Sequence, residues 1–212
     1  MKSTACAAVL LALLPAAGAP GQTNPPPAST NAAAPPAGGR LLRRAFADYT
    51  VILLATAEEP WRASWNDDAQ TAVFENPAQR AVITSQYLKF PLDLTLKEAA
   101  GQRDAFLDNA LRKYCAIQLA RSGDPALISQ PIRIEGRTLG GHYYRICRVM
   151  GRDSRGARRG FFCMTLRGPA DDPDYSGDTL VLTLGYPDSI PPGEEQRARR
   201  TFDVVLQNVS FY

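Results

Sequence analysis

Histidine and catalytic motifs are what this chain has least of. Of its 212 residues only His142 is a histidine, and the sequence contains neither a His-x-x-x-His pair nor a Gly-x-Ser-x-Gly elbow. A Ser-His-acid triad or a histidine-based metal site would have to be built on that one residue. We therefore predict no catalytic, metal-binding or cofactor-binding residues, no cofactor and no enzymatic activity. His142 opens a predicted strand, where an ordinary hydrogen-bonded role suits it, and a hydrolase that pairs it with a cysteine or an acid is the enzymatic alternative.

The chain also lacks any apolar run of the roughly 20 residues that a membrane-spanning helix needs. Its apolar run at 7–14 follows Lys2 and is itself followed by a proline and several small residues. This pattern predicts an export signal over residues 1–19, with cleavage after Gly18 or Ala19. We therefore expect a periplasmic or secreted protein without a transmembrane segment.

Charge, aromatic rings and branched aliphatic side chains are all missing from residues 20–39, which contain six prolines. Such a segment cannot bury enough apolar surface to offset its ordering entropy, so we predict a disordered, Pro- and Ala-rich linker. Residues 40–212 are long enough for a single domain with a hydrophobic core. The net charge of +3 is too small to favour nucleic acid as a partner.

Hydrophobic periodicity predicts an α+β domain, in which an antiparallel sheet of six or seven strands packs with two main helices. The predicted strands are 49–55, 71–75, 81–90, 131–136, 141–150, 160–167 and 178–185. A capping box at Thr95 and Glu98 begins the first helix, and Pro191 precedes the second. The stretch "EEPWRASWNDD", residues 58–68, is predicted to be a loop that carries both tryptophans.

The order of these elements resembles the PsbP-like and DcrB-like α/β sandwich family over most of residues 45–212. The pieces that carry the resemblance are "LTLKEA", "IRIEG" and a closing F-x-x-x-L-x-x-V-x-F pattern from Phe202 to Phe211. The Trp-containing loop and an arginine-rich hairpin depart from that pattern. The resemblance implies a non-enzymatic envelope module that binds or scaffolds other proteins, with no shared catalytic residues to carry over.

The arginine-rich hairpin, "RDSRGARRG" at 152–160, is the candidate for partner binding. Its arginines are Arg152, Arg155, Arg158 and Arg159. The partner would be another envelope protein or an anionic surface, and an inhibitor or immunity-type protein that plugs an envelope enzyme is a further alternative. However, residues 133–167 hold nine arginines and two acids, whereas 168–195 hold seven acids and no base. The two segments can therefore also neutralise each other.

An acidic stretch at 171–178 matches several positions of a calcium-binding loop. Its twelfth position, where a bidentate glutamate should close the shell, is Thr183. A polar connector between strands explains the same residues, so calcium binding is left open.

Removal of the signal would leave three cysteines, Cys115, Cys147 and Cys163, in an oxidising compartment. A three-residue hairpin loop at 154–156 would place Cys147 directly opposite Cys163, at a spacing that suits a disulfide. We therefore predict a Cys147–Cys163 disulfide. A bond from Cys115 to either partner and three free thiols are the alternatives.

Overall fold

The computed structural model describes residues 39–88, 96–121, 132–153, 156–166 and 178–212. These residues form ten strands and two helices. The strands are β1 (Arg40–Ala45), β2 (Tyr49–Ala55), β3 (Arg62–Asn66), β4 (Thr71–Asn76), β5 (Ala81–Leu88), β6 (Ile134–Leu139), β7 (His142–Asp153), β8 (Gly156–Leu166), β9 (Thr179–Pro187) and β10 (Ser210–Phe211). The helices are α1 (Leu96–Arg121) and α2 (Pro192–Gln207).

Every pair of neighbouring strands is antiparallel, and the strands form two sheets. The larger sheet has seven strands in the order β3-β4-β5-β9-β8-β7-β6, and the smaller has three in the order β1-β2-β10. The predicted α+β class, with an antiparallel sheet and two helices, is confirmed. The periodicity did not indicate the second sheet, whose strands β1 and β10 are short and lie at its edges.

The seven-stranded sheet is covered on both faces, so the core has two parts. One part lies between this sheet, the three-stranded sheet and α2, and it includes Phe74, Leu182 and Phe202. The other lies under α1 and includes Leu107 and Leu111. A strand that is buried on both faces has a nearly continuous run of apolar residues, and "GFFCMTL" in β8 is such a run.

The predicted helices both form. In α1, Leu107 and Leu111 are fully buried, while Thr95 of the predicted capping box lies outside the described residues. In α2, Phe202, Val205 and Leu206 are buried as their spacing predicts. Neither described helix combines the length and apolar character that crossing a bilayer requires.

The loop prediction for residues 58–68 is wrong, because β3 lies inside that stretch and pairs with β4. Strand β3 is at the edge of its sheet, and four of its five residues are exposed. An exposed edge strand needs no alternating apolar face, so hydrophobic periodicity gave no signal for it.

The predicted register of the arginine-rich hairpin is also wrong, by one residue. Asp153 pairs with Gly156, which leaves two residues in the connection instead of three, and Cys147 faces Phe162 instead of Cys163. Because side chains alternate between the faces of a sheet, this shift places Cys147 under α1 and Cys163 in the opposite part of the core. The register therefore does not support a Cys147–Cys163 disulfide, and the three cysteines are buried free thiols in the structure.

Candidate functional site

A groove runs between α2 and the face of the large sheet formed by β6, β7 and β8. It has a volume of about 320 Å³. We call it the α2 groove and define it by its charged walls and its aromatic floor. The wall residues are Glu135 and Arg137 from β6, Arg148 from β7, and Glu195, Arg199, Arg200 and Asp203 from α2, and the floor is Phe161 from β8.

Phe161 is a half-buried ring with guanidinium groups placed over it. The guanidinium carbon of Arg199 lies 4.7 Å from the ring centroid, and that of Arg148 lies 5.7 Å from it. Both distances are within the range of cation–π attraction. Tyr186 packs beneath, with its ring centroid 5.8 Å from that of Phe161. The floor is therefore an aromatic platform that holds two arginine side chains in place.

Three of the groove arginines form ion pairs with the carboxylates that line the groove. Arg137 bonds Asp203 at 3.2 Å and so joins the sheet to α2, and Arg148 bonds Glu135 at 2.8 Å. Arg199 lies 3.6 Å from Glu195, one turn away in the same helix. These arginine side chains are 42% to 56% exposed, so each pair contributes little to stability and can exchange its partner.

Arg200 is the fourth arginine of the groove and differs from the others. In the part of the chain that the structure describes, it takes part in no ion pair with a carboxylate. Glu195, on the same helix as Arg200, is already engaged, since the buried Tyr186 hydroxyl donates a hydrogen bond to it at 2.8 Å. Burial, together with that bond, raises the pKa of Tyr186, so this phenol keeps its proton and stays a donor. The exposed guanidinium of Arg200 is thus available to an incoming anionic group.

Of the four arginines predicted to bind a partner, the structure describes the side chains of Arg158 and Arg159. The side chains of Arg152 and Arg155 lie outside the described residues. Arg158 donates a hydrogen bond to the carbonyl of Arg80 at 2.9 Å. Arg159 donates to Asp188 at 2.6 Å, and this bond raises the pKa of Arg159. Arg158 and Arg159 are therefore engaged within the chain.

Sequence patterns did not indicate the four groove arginines as one group, because α2, which carries two of them, is distant in the chain from β6 and β7. Only packing of α2 on the sheet brings them together. A weak signal did exist in α2, where Arg197, Arg199 and Arg200 follow the acidic first turn. Arginine is a strong helix former and is common on exposed helix faces for that reason alone, so that signal was not specific.

In the described part of the chain, His142 contacts a backbone carbonyl and aromatic rings. Its Nε2 lies 3.1 Å from the carbonyl oxygen of Val209, and because a carbonyl only accepts, this nitrogen carries the proton. The ring meets Phe211 edge-on with the two centroids 5.2 Å apart. Burial raises the pKa of the Cys163 thiol well above its ordinary value, which keeps it protonated and unreactive. The contacts of His142 are those of a residue that joins β7 to the end of the chain.

The acidic stretch considered for calcium lies largely outside the described residues, which include only Asp178 from it. Asp178 is buried and accepts a hydrogen bond from the Tyr87 hydroxyl at 2.8 Å. Among the described residues no group of three or more histidine, cysteine and acidic side chains is placed to hold a metal ion.

A second depression, of about 430 Å³, lies beside Gly39 and Trp61. Trp61 is 1% exposed, and its indole Nε1 has no hydrogen-bond partner among the described residues. This depression offers a mainly apolar wall, whereas the α2 groove combines an aromatic floor with several charged groups. The α2 groove is therefore the better candidate for a binding site.

Comparison with known proteins shows that no family model matches the chain and that no curated protein matches it. Two solved structures show a low level of similarity to this chain. One is a protein from Bacteroides thetaiotaomicron VPI-5482, with 9% identity over 77% of this chain and a TM-score of 0.45, and this chain spans only 45% of that protein's length. The other is LpqN, involved in cell envelope biogenesis of Mycobacterium tuberculosis, with 14% identity, 82% of this chain and 91% of that chain covered, and a TM-score of 0.43. Both TM-scores lie below 0.5, so neither similarity assigns a function, and membership of the PsbP-like and DcrB-like family stays a prediction.

Proposed function

We propose that this chain is an exported, non-enzymatic binding module of the bacterial cell envelope, and that the α2 groove is its binding surface. The export signal at 1–19 and the linker at 20–39 would deliver the domain and hold it away from an anchoring point. The observation that carries the proposal is the Phe161 platform with the guanidinium groups of Arg148 and Arg199 over it. Arginine and aromatic side chains are enriched in the centres of protein interfaces, and here they share one open groove.

The chemistry of the groove favours a partner segment that carries carboxylate side chains. Four arginines stand in its walls against three acidic residues, and Arg200 has no carboxylate partner among the described residues. A guanidinium group binds a carboxylate through two parallel hydrogen bonds, which supplies both energy and orientation. The exposed ion pairs of the walls can open and re-form on an incoming carboxylate at small cost. An acidic segment of another envelope protein therefore fits the groove.

The experiment is site-specific photo-crosslinking in living cells. A benzoylphenylalanine residue replaces Gln196, which is exposed, uncharged and part of the groove wall. The matched control replaces Val204, which is 46% exposed on the same helix but does not line the groove. We expect an adduct with one envelope protein from position 196 and none from position 204. Equal adducts from both positions, or none from position 196, would contradict the proposal.

Charge reversal then tests the role of the arginines. Arg200→Glu, made in the chain that carries the crosslinker at position 196, should reduce the adduct at least about tenfold, since one lost charged contact costs about 1.4 kcal/mol or more. Arg43→Glu is the control, because Arg43 is exposed on β1 and lies outside the groove. An adduct that survives Arg200→Glu, or that disappears equally with Arg43→Glu, would refute a charge-directed site. If the captured partner is an enzyme that the purified chain inhibits, the inhibitor alternative gains direct support.

A further inference from the structure

Helix α1 packs against strand β7, and side chains of the two elements contact each other in pairs. Arg145 of β7 bonds both carboxylate oxygens of Asp108 in α1, at 2.6 and 2.9 Å. Cys115 lies seven residues, or about two helical turns, after Asp108, and therefore lies on the same face of the helix. Cys147 lies two residues after Arg145, and therefore on the same face of the strand. The contact between Asp108 and Arg145 thus sets Cys115 opposite Cys147.

The structure places the two cysteines in the same part of the core. The ring of Tyr114, next to Cys115, lies 5.6 Å from the ring of Phe162, and Phe162 is paired with Cys147 across β7 and β8, so Cys115 comes close to Cys147. Both residues are 0% exposed and lie in the core under α1, where Leu111 and Met164 are also buried. Cys163 is equally buried but belongs to the core on the other side of the sheet. The seven-stranded sheet separates it from the other two.

We propose that Cys115 and Cys147 form a disulfide that joins α1 to β7 when the chain folds in an oxidising compartment. Each thiol loses a proton, and the pair loses two electrons as the sulfur–sulfur bond forms. The oxidant is a small-molecule or protein disulfide, which takes up the two electrons and two protons and becomes two thiols. Cys163 is then the cysteine left as a thiol.

The bond should form during folding and not afterwards. In the folded chain the neighbouring Cys147 side chain and burial raise the pKa of the Cys115 thiol, so that little thiolate is present to attack a disulfide. While the core under α1 is still open, both thiols are accessible to the oxidant. Folded, reduced protein should therefore resist oxidation, whereas protein refolded with the oxidant should acquire the bond.

The disulfide involves no residue of the α2 groove. It depends on the proposed export only for the oxidising compartment in the cell, and refolding in vitro supplies that condition separately. Loss of the crosslinked adduct would therefore leave the disulfide untouched, and absence of the disulfide would leave the groove proposal untouched.

Peptide mapping without reduction tests the inference on the chain from residue 20 to 212, which lacks Cys6 of the predicted export signal. The protein is refolded from urea with oxidised glutathione, its remaining thiols are alkylated, and it is digested with trypsin. Cleavage after lysine and arginine places the three cysteines on separate peptides, 114–121, 146–148 and 160–167. We expect peptide 114–121 linked to 146–148, with 160–167 alkylated. A link that includes 160–167, or alkylation of all three peptides, would overturn the proposal.

Thermal unfolding provides a second measurement. A bond between positions 115 and 147 closes a loop of about 33 residues, and the lost chain entropy should raise Tm by about 10 °C relative to the same protein with reductant. Cys163→Ala should keep this reductant-sensitive difference, because residue 163 is not part of the bond. Cys147→Ala should abolish it. A difference that disappears in Cys163→Ala and persists in Cys147→Ala would refute the pairing.

Discussion

Replacing Asp108 with asparagine should weaken the attachment of α1 to the sheet. The Asp108 carboxylate accepts two hydrogen bonds from Arg145, and these raise the pKa of the arginine. Arg145 also donates to the Tyr143 hydroxyl at 3.0 Å, and that hydroxyl donates to Asp104 of the same helix at 3.2 Å. The Asp108→Asn substitution would keep the size of the side chain but remove the charge and one of the two acceptors. The guanidinium would then remain partly buried without its counter-charge.

The size of the stability loss in Asp108→Asn can be worked out from how exposed Arg145 and Asp108 are. The side chains of Arg145 and Asp108 are 16% and 25% exposed, so the pair lies between a surface pair and a fully buried one. Exposed pairs contribute about 0.2 to 1 kcal/mol, whereas removing one partner of a buried pair costs about 3 to 5 kcal/mol. We therefore expect Asp108→Asn to lower the free energy of unfolding by about 2 kcal/mol.

Urea unfolding monitored by tryptophan fluorescence measures this change, with reductant present so that no disulfide contributes. Glu135→Gln is the matched control, because it breaks the Arg148–Glu135 pair, whose side chains are 56% and 49% exposed. It should cost less than about 0.5 kcal/mol. A double-mutant cycle with Arg145→Gln should return a coupling energy of about 1.5 kcal/mol. Equal losses for Asp108→Asn and Glu135→Gln would refute the reasoning from burial.

Two further predictions concern the turn before β7 and the response to alkaline pH. Gly140 has φ +58°, and a β-carbon there would lie 2.2 Å from the carbonyl oxygen of Gln207, so Gly140→Ala should lower the free energy of unfolding by more than about 3 kcal/mol. Gly141 has φ +81° but faces open space, so Gly141→Ala should cost only about 1 kcal/mol. Equal losses of unfolding free energy for the two variants in urea would contradict the close contact between Gly140 and Gln207. Burial raises the pKa of Tyr49 in the folded chain above the value of about 10 that it has in the unfolded chain. The protonated Tyr49 therefore contributes its full stability below about pH 10. This contribution is lost as the pH rises further, because the unfolded chain releases the proton first. Between pH 10 and 11 the unfolding free energy should fall by about 1 kcal/mol more in the native chain than in Tyr49→Phe, and identical slopes would show that Tyr49 does not titrate differently in the two states.

Sequence patterns predicted most of the large sheet and both helices, because long buried elements show their period directly. The strands from β7 to β9 and the apolar face of α2 are examples, since each buries enough side chains to set a clear spacing. Sequence patterns failed for β3, because an exposed strand needs no alternation of apolar and polar residues. They also failed for the α2 groove, since Arg137, Arg148 and Arg200 become neighbours only when α2 packs on the sheet.

The amino-acid sequence by itself therefore determined the class of fold, the order of its main elements and the scarcity of histidine-based chemistry. Composition and the spacing of apolar residues depend only on residues that are close in the sequence, so both can be read without knowing how the elements pack. The tertiary structure alone decided which cysteine faces which. A hairpin shorter by one residue exchanges the two faces of a strand, and this turned Cys147 away from Cys163 and towards Cys115. The face of the sheet on which Cys147 lies depends on the strand register, which turn geometry and packing determine together. The same packing brings together the residues of the α2 groove from distant parts of the chain.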